Sequence, residues 1–414
     1  MSLSVPQRAD LTFKHNRTQG RHGWLRLTPA YSVKVVREIL HTGGAVHRAL
    51  DPFSGTGTTG LVCAEEGIAC DLVEINPFLA WVAEVKTAAY SATDVVTAHD
   101  LAHVVVQRML LPQATGEPLW TPPIQHIERW WSAERLATLA RLFHELQCLR
   151  TSTANRAAFD LNLLAFCRVV LDWSNAAFNH QSMSFKPWQP TLFAADERGQ
   201  ISDAFLSQVQ GIAADASRPL AGRVRIYTGD SRLVTQHVAG PYDCVITSPP
   251  YPNRFSYIRE VRPYMYWLGY LQTTHEAGDL DWQAIGGTWG SATSRLSQWA
   301  ANGSAMTDPS FVTMLHAIGQ RSPLLANYVH KYFVDIAEHL TELRRVLVPG
   351  AKMHYIVGNS KFYDTLVPVD TIYAHLLEQL GFQAVQVAVL RKRNSKKELY
   401  EFVVSATYRP TALL

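Results

Sequence analysis

The ten residues 51–60, DPFSGTGTTG, constrain this chain more than any other stretch. They follow residues 45–50, which read as a short strand, and residues 61–66 open a helix behind them. Glycines at 55, 57 and 60 match the spacing G-x-G-x-x-G. Without Cβ atoms the backbone turns tightly and approaches a ligand, and the next helix presents its free N–H groups to it. A second buried strand, residues 70–73, ends at Glu74, and a helix over 77–89 begins with proline at its first position. Glu74 stands seventeen positions after Gly57, where a carboxylate accepts hydrogen bonds from ribose hydroxyls. A nucleoside-containing cofactor follows. The loop carries no lysine and no G-K-[ST], which argues against an NTPase phosphate cradle. The same glycines would also serve a nicotinamide cofactor or a plain structural turn, so the loop by itself leaves the cofactor open.

Strand, helix, strand, helix is the opening of a parallel sheet covered by helices. The alternation stops after residue 90 and resumes with buried strands over 223–227, 242–246 and 352–357, and helical spacing over 257–271, 328–347 and 368–380. Residues 383–390 and 401–407 read as two strands of a hairpin. The predicted fold is α/β: a doubly wound, mostly parallel, seven-stranded Rossmann-like sheet interrupted by two insertions. Residues 1–90, 221–271 and 326–414 are expected to form the cofactor-binding catalytic domain. Residues 91–220 are expected to be a mainly helical insertion, with helices over 133–149 and 157–173. Residues 272–325, rich in Gly, Ser, Thr and Trp, show little periodicity and are expected to be an irregular insertion, a type of segment that tends to be functional. A chain of 414 residues, 47% of them hydrophobic, is long enough for this arrangement.

A formal charge of +3 gives no global attraction to nucleic acid, so any such contact must come from a local patch. The five cysteines are odd in number and have no metal-ligand spacing, so reduced, buried thiols are expected and no metal site. The polar N-terminus lacks a secretory h-region and no apolar run is long enough to span a bilayer, from which a cytoplasmic location is expected.

The segment TSPPY, residues 247–251, directly follows the strand YDCVI, at the carboxyl edge where open α/β sheets bind ligands. Two prolines fix a rigid, non-helical backbone that presents a hydroxyl and a carbonyl beside an aromatic ring. Together with DPFSGTGTT it resembles motifs IV and I of the amino-group (N4-cytosine / N6-adenine) DNA methyltransferases, across about residues 20–90 and 223–408. The resemblance implies the Rossmann-like methyltransferase sheet and S-adenosyl-L-methionine as cofactor. It places Asp51, Phe53, Gly55, Gly57 and Thr58 around the methionine half and Glu74 on the ribose. Asp230, with Ser231 beside it in YTGDSRL, resembles the adenine-side motif, and LTPAYS, residues 27–32, resembles the segment closing over the methionine end through Thr28, Pro29 and Tyr31.

In that family, serine before the two prolines goes with cytosine N4, and Asp or Asn with adenine N6, so N4 of cytosine in double-stranded DNA is the favoured target. Methylation of cytosine C5 would need a Pro-Cys nucleophile, which is missing. An exocyclic amine is a weak nucleophile because its lone pair is delocalised. The expected catalytic group is therefore Ser248, Pro249, Pro250 and Tyr251: the Ser248 hydroxyl and Pro249 carbonyl accept the amino hydrogens, and Tyr251 stacks on a flipped base. Arg254, Arg259, Arg391, Arg393 and Lys396 are the expected nucleic-acid contacts, and the second insertion, with Trp282, Trp289 and Trp299, is the first choice for target recognition. A cognate restriction endonuclease would be the functional companion of such an enzyme; the oligomeric state stays open. The rival readings are an adenine-N6 or RNA-guanine-N2 methyltransferase, a nicotinamide oxidoreductase, and a non-catalytic DNA-binding subunit.

Overall fold

The computed structural model describes residues 5–112, 118–177, 184–186, 196–287, 291–301, 306, 308–393 and 398–410. Seven strands form its main sheet: β1 (Arg48–Asp51), β2 (Ala69–Glu74), β3 (Val224–Thr228), β4 (Tyr242–Thr247), β5 (Leu347–Gly358), β6 (Phe382–Lys392) and β7 (Tyr400–Tyr408). Their order is β6-β7-β5-β4-β1-β2-β3, and only β7 runs antiparallel to its neighbours. This is the doubly wound, mostly parallel α/β sheet the sequence predicts. Strand order reverses beside β1, so the carboxyl ends of β1 and β4 frame the crevice where such sheets bind ligands.

Period-two burial explains why helices cover both faces. Along β1, Ala49 turns to one core and Leu50 to the other, as do Leu72 and Val73 on β2. Helices α1 (Val33–Thr42), α2 (Thr58–Glu65) and α3 (Pro77–Thr87) follow in the first third of the chain. The α3 start is fixed by the Asn76 side chain, which accepts from the Phe78 and Leu79 N–H groups, and by proline at the first position.

Among its described residues the first insertion contains four α-helices: α4 (Ala92–Leu110), α5 (Ala133–Arg150), α6 (Arg156–Asp172) and α7 (Glu197–Ala216). The expected helices α5 and α6 are therefore joined by two more, of which α4 begins with a Ser91–Asp94 capping box. Their core is continuous with Phe78 and Trp81 of α3 and with Tyr264 and Trp267 of α8 (Tyr257–Trp267). The buried Arg21 guanidinium also fastens the two units, donating to the carbonyls of Lys86 and Ala88 at 3.2 and 2.7 Å and of Ala216 and Arg218 at 2.7 and 2.8 Å.

The second insertion departs from the expectation of irregular chain. Among its described residues are α9 (Thr274–Gln283), α10 (Ser291–Leu296) and α11 (Pro309–Gly319), followed by the long α12 (Pro323–Leu343) and, beyond β5, α13 (Val369–Gln379). Periodicity is hard to read in helices this short, but caps start α9 and α11: Thr273 accepts from the Glu276 N–H, and Asp308 precedes Pro309. Trp282 lies under Lys331 at 5.0 Å and Trp299 packs edge-on against His330, so both rings serve internal packing; Trp289 lies outside the described residues. Four cysteines are buried, but Cys148 is exposed on α5, because it falls on that helix's outer face. Among the described residues no helix is long and apolar enough to cross a membrane.

Candidate active site

At the carboxyl edge of β1, β2, β3 and β4 two concavities meet. The deeper one is walled by the glycine loop, Glu74 to Asn76, the turn after β3 and Ser248 with Pro250. The shallower groove lies beyond Tyr251, between the N-terminal segment, the start of α8 and the turn end of the β6–β7 hairpin, with about 2120 Å³ of empty space, open solvent included. Pro29, Ala30, Tyr31 and Tyr257 line both, so they form the junction.

The glycines of the loop have different tasks. Gly55 has φ +51° at the cleft, where an added Cβ would meet only a Leu27 methyl at 3.5 Å. At Gly57, φ is +78° and a Cβ would lie 2.9 Å from that of Ala83, so this glycine lets α3 pack against the loop instead of facing a ligand. Glu74 receives the Gly55 N–H on Oε2 at 2.8 Å and the Asn76 N–H on Oε1 at 2.9 Å. Burial nevertheless pushes its pKa up to about 7. Phe53 forms the opposite wall and packs edge-on against His339, with ring centroids 4.7 Å apart. His339 must carry its proton on Nδ1, which donates to the Ser231 carbonyl at 2.9 Å; Nε2 then accepts from the Tyr355 hydroxyl at 2.7 Å.

Of the expected cofactor residues, Pro29, Tyr31, Phe53, Gly55, Thr58, Glu74, Asp230 and Ser231 line this cleft. Three do not. Asp51 is completely buried and its carboxylate accepts from Tyr31 Oη at 2.9 Å, Thr247 Oγ1 at 2.5 Å and the Phe53 N–H at 3.1 Å, which ties β1 to β4 and to the LTPAYS segment. Burial raises its pKa. Gly57 is used for packing, and Thr28 lines the groove, its N–H donating to Glu260 at 3.0 Å. Asp230 faces the cleft with its carboxylate already engaged by Arg232, which also reaches Asp335 at 2.9 Å and the Gln283 carbonyl at 2.7 Å.

The S-P-P-Y turn is held from three sides. Tyr328 and Tyr332, one turn apart on α12, grip it: Tyr328 Oη accepts the Arg254 N–H at 3.2 Å and Tyr332 Oη donates to the Pro250 carbonyl at 2.8 Å. Ser248 Oγ donates its hydrogen to the Ile356 carbonyl at 3.1 Å, leaving its lone pairs to accept. Pro249 is buried and does not line the cleft, but nothing among the described residues donates to its carbonyl. Tyr251 donates to Glu401 at 2.9 Å, and Glu401 is in turn paired with Arg391 at 2.7 Å. The Tyr251 ring lies against Gly358, where a Cβ would come within 2.8 Å of it, and the Arg393 guanidinium covers the ring at 5.0 Å. The expected base-stacking face is therefore covered in this conformation.

The expected nucleic-acid residues divide accordingly. Arg254 is exposed in the groove, in a left-handed backbone conformation with φ +61°, and Arg259 lines the same wall. Arg391 also lines it, but its charge is used on Glu401. Arg393 lies over Tyr251 and donates to the Asn359 carbonyl at 2.8 Å. Lys396 lies outside the described residues. Sequence reasoning missed Glu401, Tyr257, Tyr328 and Tyr332, which carry no local pattern beyond a polar position near the start of a strand and aromatic positions in helices. It also missed that Ala284 and Ile285 of the second insertion line the deeper cleft.

No family model matches the chain. It is similar to the Type II methyltransferase M.AvaI of Nostoc sp. and to the protein of the same name from Anabaena variabilis, each at 21% identity over 94% of this chain and 85% of the relative. It is similar at 21% to the Type II methyltransferase M.BsoBI of Geobacillus stearothermophilus, over 95% of this chain and 85% of that one. Among solved structures, the rRNA methyltransferase aviRa from Streptomyces viridochromogenes aligns over 91% of this chain and 86% of its own at 12% identity, with a TM-score of 0.27. The curated relatives support a methyltransferase.

Proposed function

We propose that this chain is an S-adenosyl-L-methionine-dependent DNA methyltransferase that modifies the exocyclic N4 of cytosine in double-stranded DNA, within a restriction–modification or related system. The observation that carries this reading is the junction itself: Ser248 borders the cofactor cleft while Tyr251, three residues on, borders the open groove. The relatives support the methyl-transfer chemistry and DNA as the substrate class, and the serine of S-P-P-Y supports cytosine.

The cleft residues suit this cofactor. A buried carboxylate at Glu74 offers acceptors to ribose hydroxyls, Gly55 leaves room at the loop, and apolar walls from Leu79, Ile258 and Ile285 surround the space. When bound, the cofactor supplies an electrophilic methyl group on a positively charged sulfur. The chain's own task is to sharpen the amine. Because Ser248 has committed its hydrogen to Ile356, its oxygen meets the target as an acceptor, and the Pro249 carbonyl, to which no described residue donates, is a second acceptor next to it. Two acceptors on the two amino hydrogens draw the nitrogen lone pair out of the ring system. Tyr251, fixed by Glu401 and Gly358, is the platform for the base once Arg393 moves off it; such stacking contributes about 1–3 kcal/mol per base, similar to what unstacking costs.

The test is incubation of unmethylated plasmid with labelled S-adenosylmethionine, digestion to nucleosides and mass spectrometry. N4-methylcytosine is the expected product. N6-methyladenine would keep the chemistry and overturn the target, and no labelled nucleoside would overturn both.

A further inference from the structure

A third concavity, which the catalytic scheme leaves unused, opens on the other side of the LTPAYS segment. One wall is the N-terminal stretch from Phe13 to Leu27, the other is the end of α6 with Lys186, and the floor is Thr56 and Thr58 of the glycine loop. It has about 1480 Å³ of empty space, open solvent included. Phe13 and Ala30 line both it and the groove beside Tyr251, so the two adjoin along the LTPAYS segment, and Leu27, Thr56 and Thr58 separate it from the deeper cleft.

This concavity is basic. Arg17, Arg26, Arg168 and Lys186 line it against a single acid, Asp172. Arg26 lies over the Phe13 ring at 5.8 Å. The side chains of Arg17, Arg168 and Lys186 make no direct hydrogen bond or contact ion pair among the described residues, although Asp172 lies close enough to attract Arg168 and Arg17, and Arg17 and Lys186 are exposed. Most arginines elsewhere in this fold are spent internally, as Arg21 is on carbonyls and Arg232 on two aspartates. This excess of guanidinium and ammonium groups over one carboxylate, along an extended polar groove, matches a chain of phosphates better than one small anion.

We infer that this groove holds the sugar–phosphate backbone of the DNA on the side of the target base away from the β6–β7 hairpin, which makes the helical insertion a DNA-binding arm. The inference rests on the proposed function. A base presented to Ser248 needs its neighbours anchored on both sides, and the hairpin with Arg254 supplies only one. The second insertion, by contrast, has Trp282 and Trp299 packed inward and forms a wall of the cofactor cleft.

The experiment compares wild type with the double variant Arg17→Ala/Lys186→Ala and the triple variant adding Arg168→Ala, by fluorescence anisotropy of a labelled duplex at several salt concentrations. Each phosphate that a basic side chain neutralises adds about 0.9 to the log–log salt slope, so the triple variant is expected to fall by up to about 2.7 in slope and at least tenfold in affinity near 0.1 M salt. Binding of S-adenosylhomocysteine, measured by calorimetry, is expected to stay within twofold, which shows that the variants are folded. A triple variant with wild-type slope and affinity overturns the DNA-binding arm and leaves the methyltransferase reading standing. Wild-type protein that binds no DNA overturns both.

Discussion

The cofactor cleft and the groove beside it share four residues, yet they are held together by different means. The cleft is made of backbone at strand ends: the loop after β1, Glu74 to Asn76 after β2, and Gly229 to Ser231 after β3. The groove assembles pieces from the N-terminus, the LTPAYS segment, the start of α8 and the far hairpin, and side chains join them: Thr28 to Glu260, Tyr251 to Glu401, Arg254 to Tyr328. Backbone ties across its rim are few among the described residues: the Lys392 N–H donates to the Pro6 carbonyl at 3.1 Å, and Thr12 forms an isolated antiparallel bridge with Tyr31. The difference teaches where damage should appear. Changes in the cleft strike the sheet and cost stability or cofactor affinity, whereas changes in the groove leave the fold standing and cost turnover.

The sharpest challenge to that division is Ser248→Ala, on the border between the two. Removing one preorganised acceptor should lower kcat about 100- to 1000-fold, with KM for DNA and the melting temperature nearly unchanged. Steady-state kinetics beside a thermal melt would check it, and a fall in melting temperature instead of kcat would put Ser248 on the structural side.

Next in size is Gly57→Ala. A left-handed residue with its Cβ pressed on Ala83 should lose roughly 2–4 kcal/mol in urea unfolding, whereas Gly55→Ala, with room for its Cβ, should lose about 1 kcal/mol and weaken cofactor binding. Equal losses at the two glycines would break the distinction between packing and ligand approach.

Glu401→Gln should lower kcat about tenfold by loosening Tyr251 and freeing Arg391, since a hydrogen bond to a charged group contributes about 1.5–3 kcal/mol. Cofactor affinity should not move. A matched loss in S-adenosylhomocysteine binding, read by calorimetry, would mean that the groove and the cleft are not separable.

Proton linkage probes the cleft more gently. Burial raises Glu74 to about 7, so the folded state disfavours its carboxylate; the stability this group contributes is present below its unfolded value near 4.3 and is lost as pH rises through 7. Ribose hydroxyls donate to the carboxylate, so cofactor binding has the opposite slope. Affinity for S-adenosylhomocysteine should be level above pH 8 and fall several-fold by pH 6, and Glu74→Gln should flatten the profile in the same calorimetric series.

The smallest effect is expected at the rim. Arg254→Ala should weaken DNA binding by about 1 kcal/mol and lower the salt slope by about 0.9, read by anisotropy, with stability unchanged because alanine keeps the Cβ that makes a left-handed backbone costly.

Legibility follows the same division. All seven strands, the glycine loop and Glu74 were legible in the sequence because a buried parallel sheet imposes apolar runs and its loops need glycine at set places. The same local logic was misleading where a residue's type suits two tasks. Asp51 and Gly57 have the chemistry of ligand contacts but are used for internal pairing and packing, and whether a partner such as Tyr31 or Ala83 stands in reach is decided by chain distant from the motif. The helices of the second insertion were missed because ten or so residues give too few turns for a 3.6-residue period to stand out.

The sequence by itself determined the sheet, the loop at the end of β1 and the S-P-P-Y turn at the end of β4, since each depends on neighbours a few residues away. Tertiary structure alone decided that Ser248 gives its proton to Ile356, that Arg393 covers Tyr251 and that Arg391 is spent on Glu401. Those outcomes depend on which groups meet across the fold, and hydrogen bonds and charges act over a few ångströms of space regardless of separation along the chain.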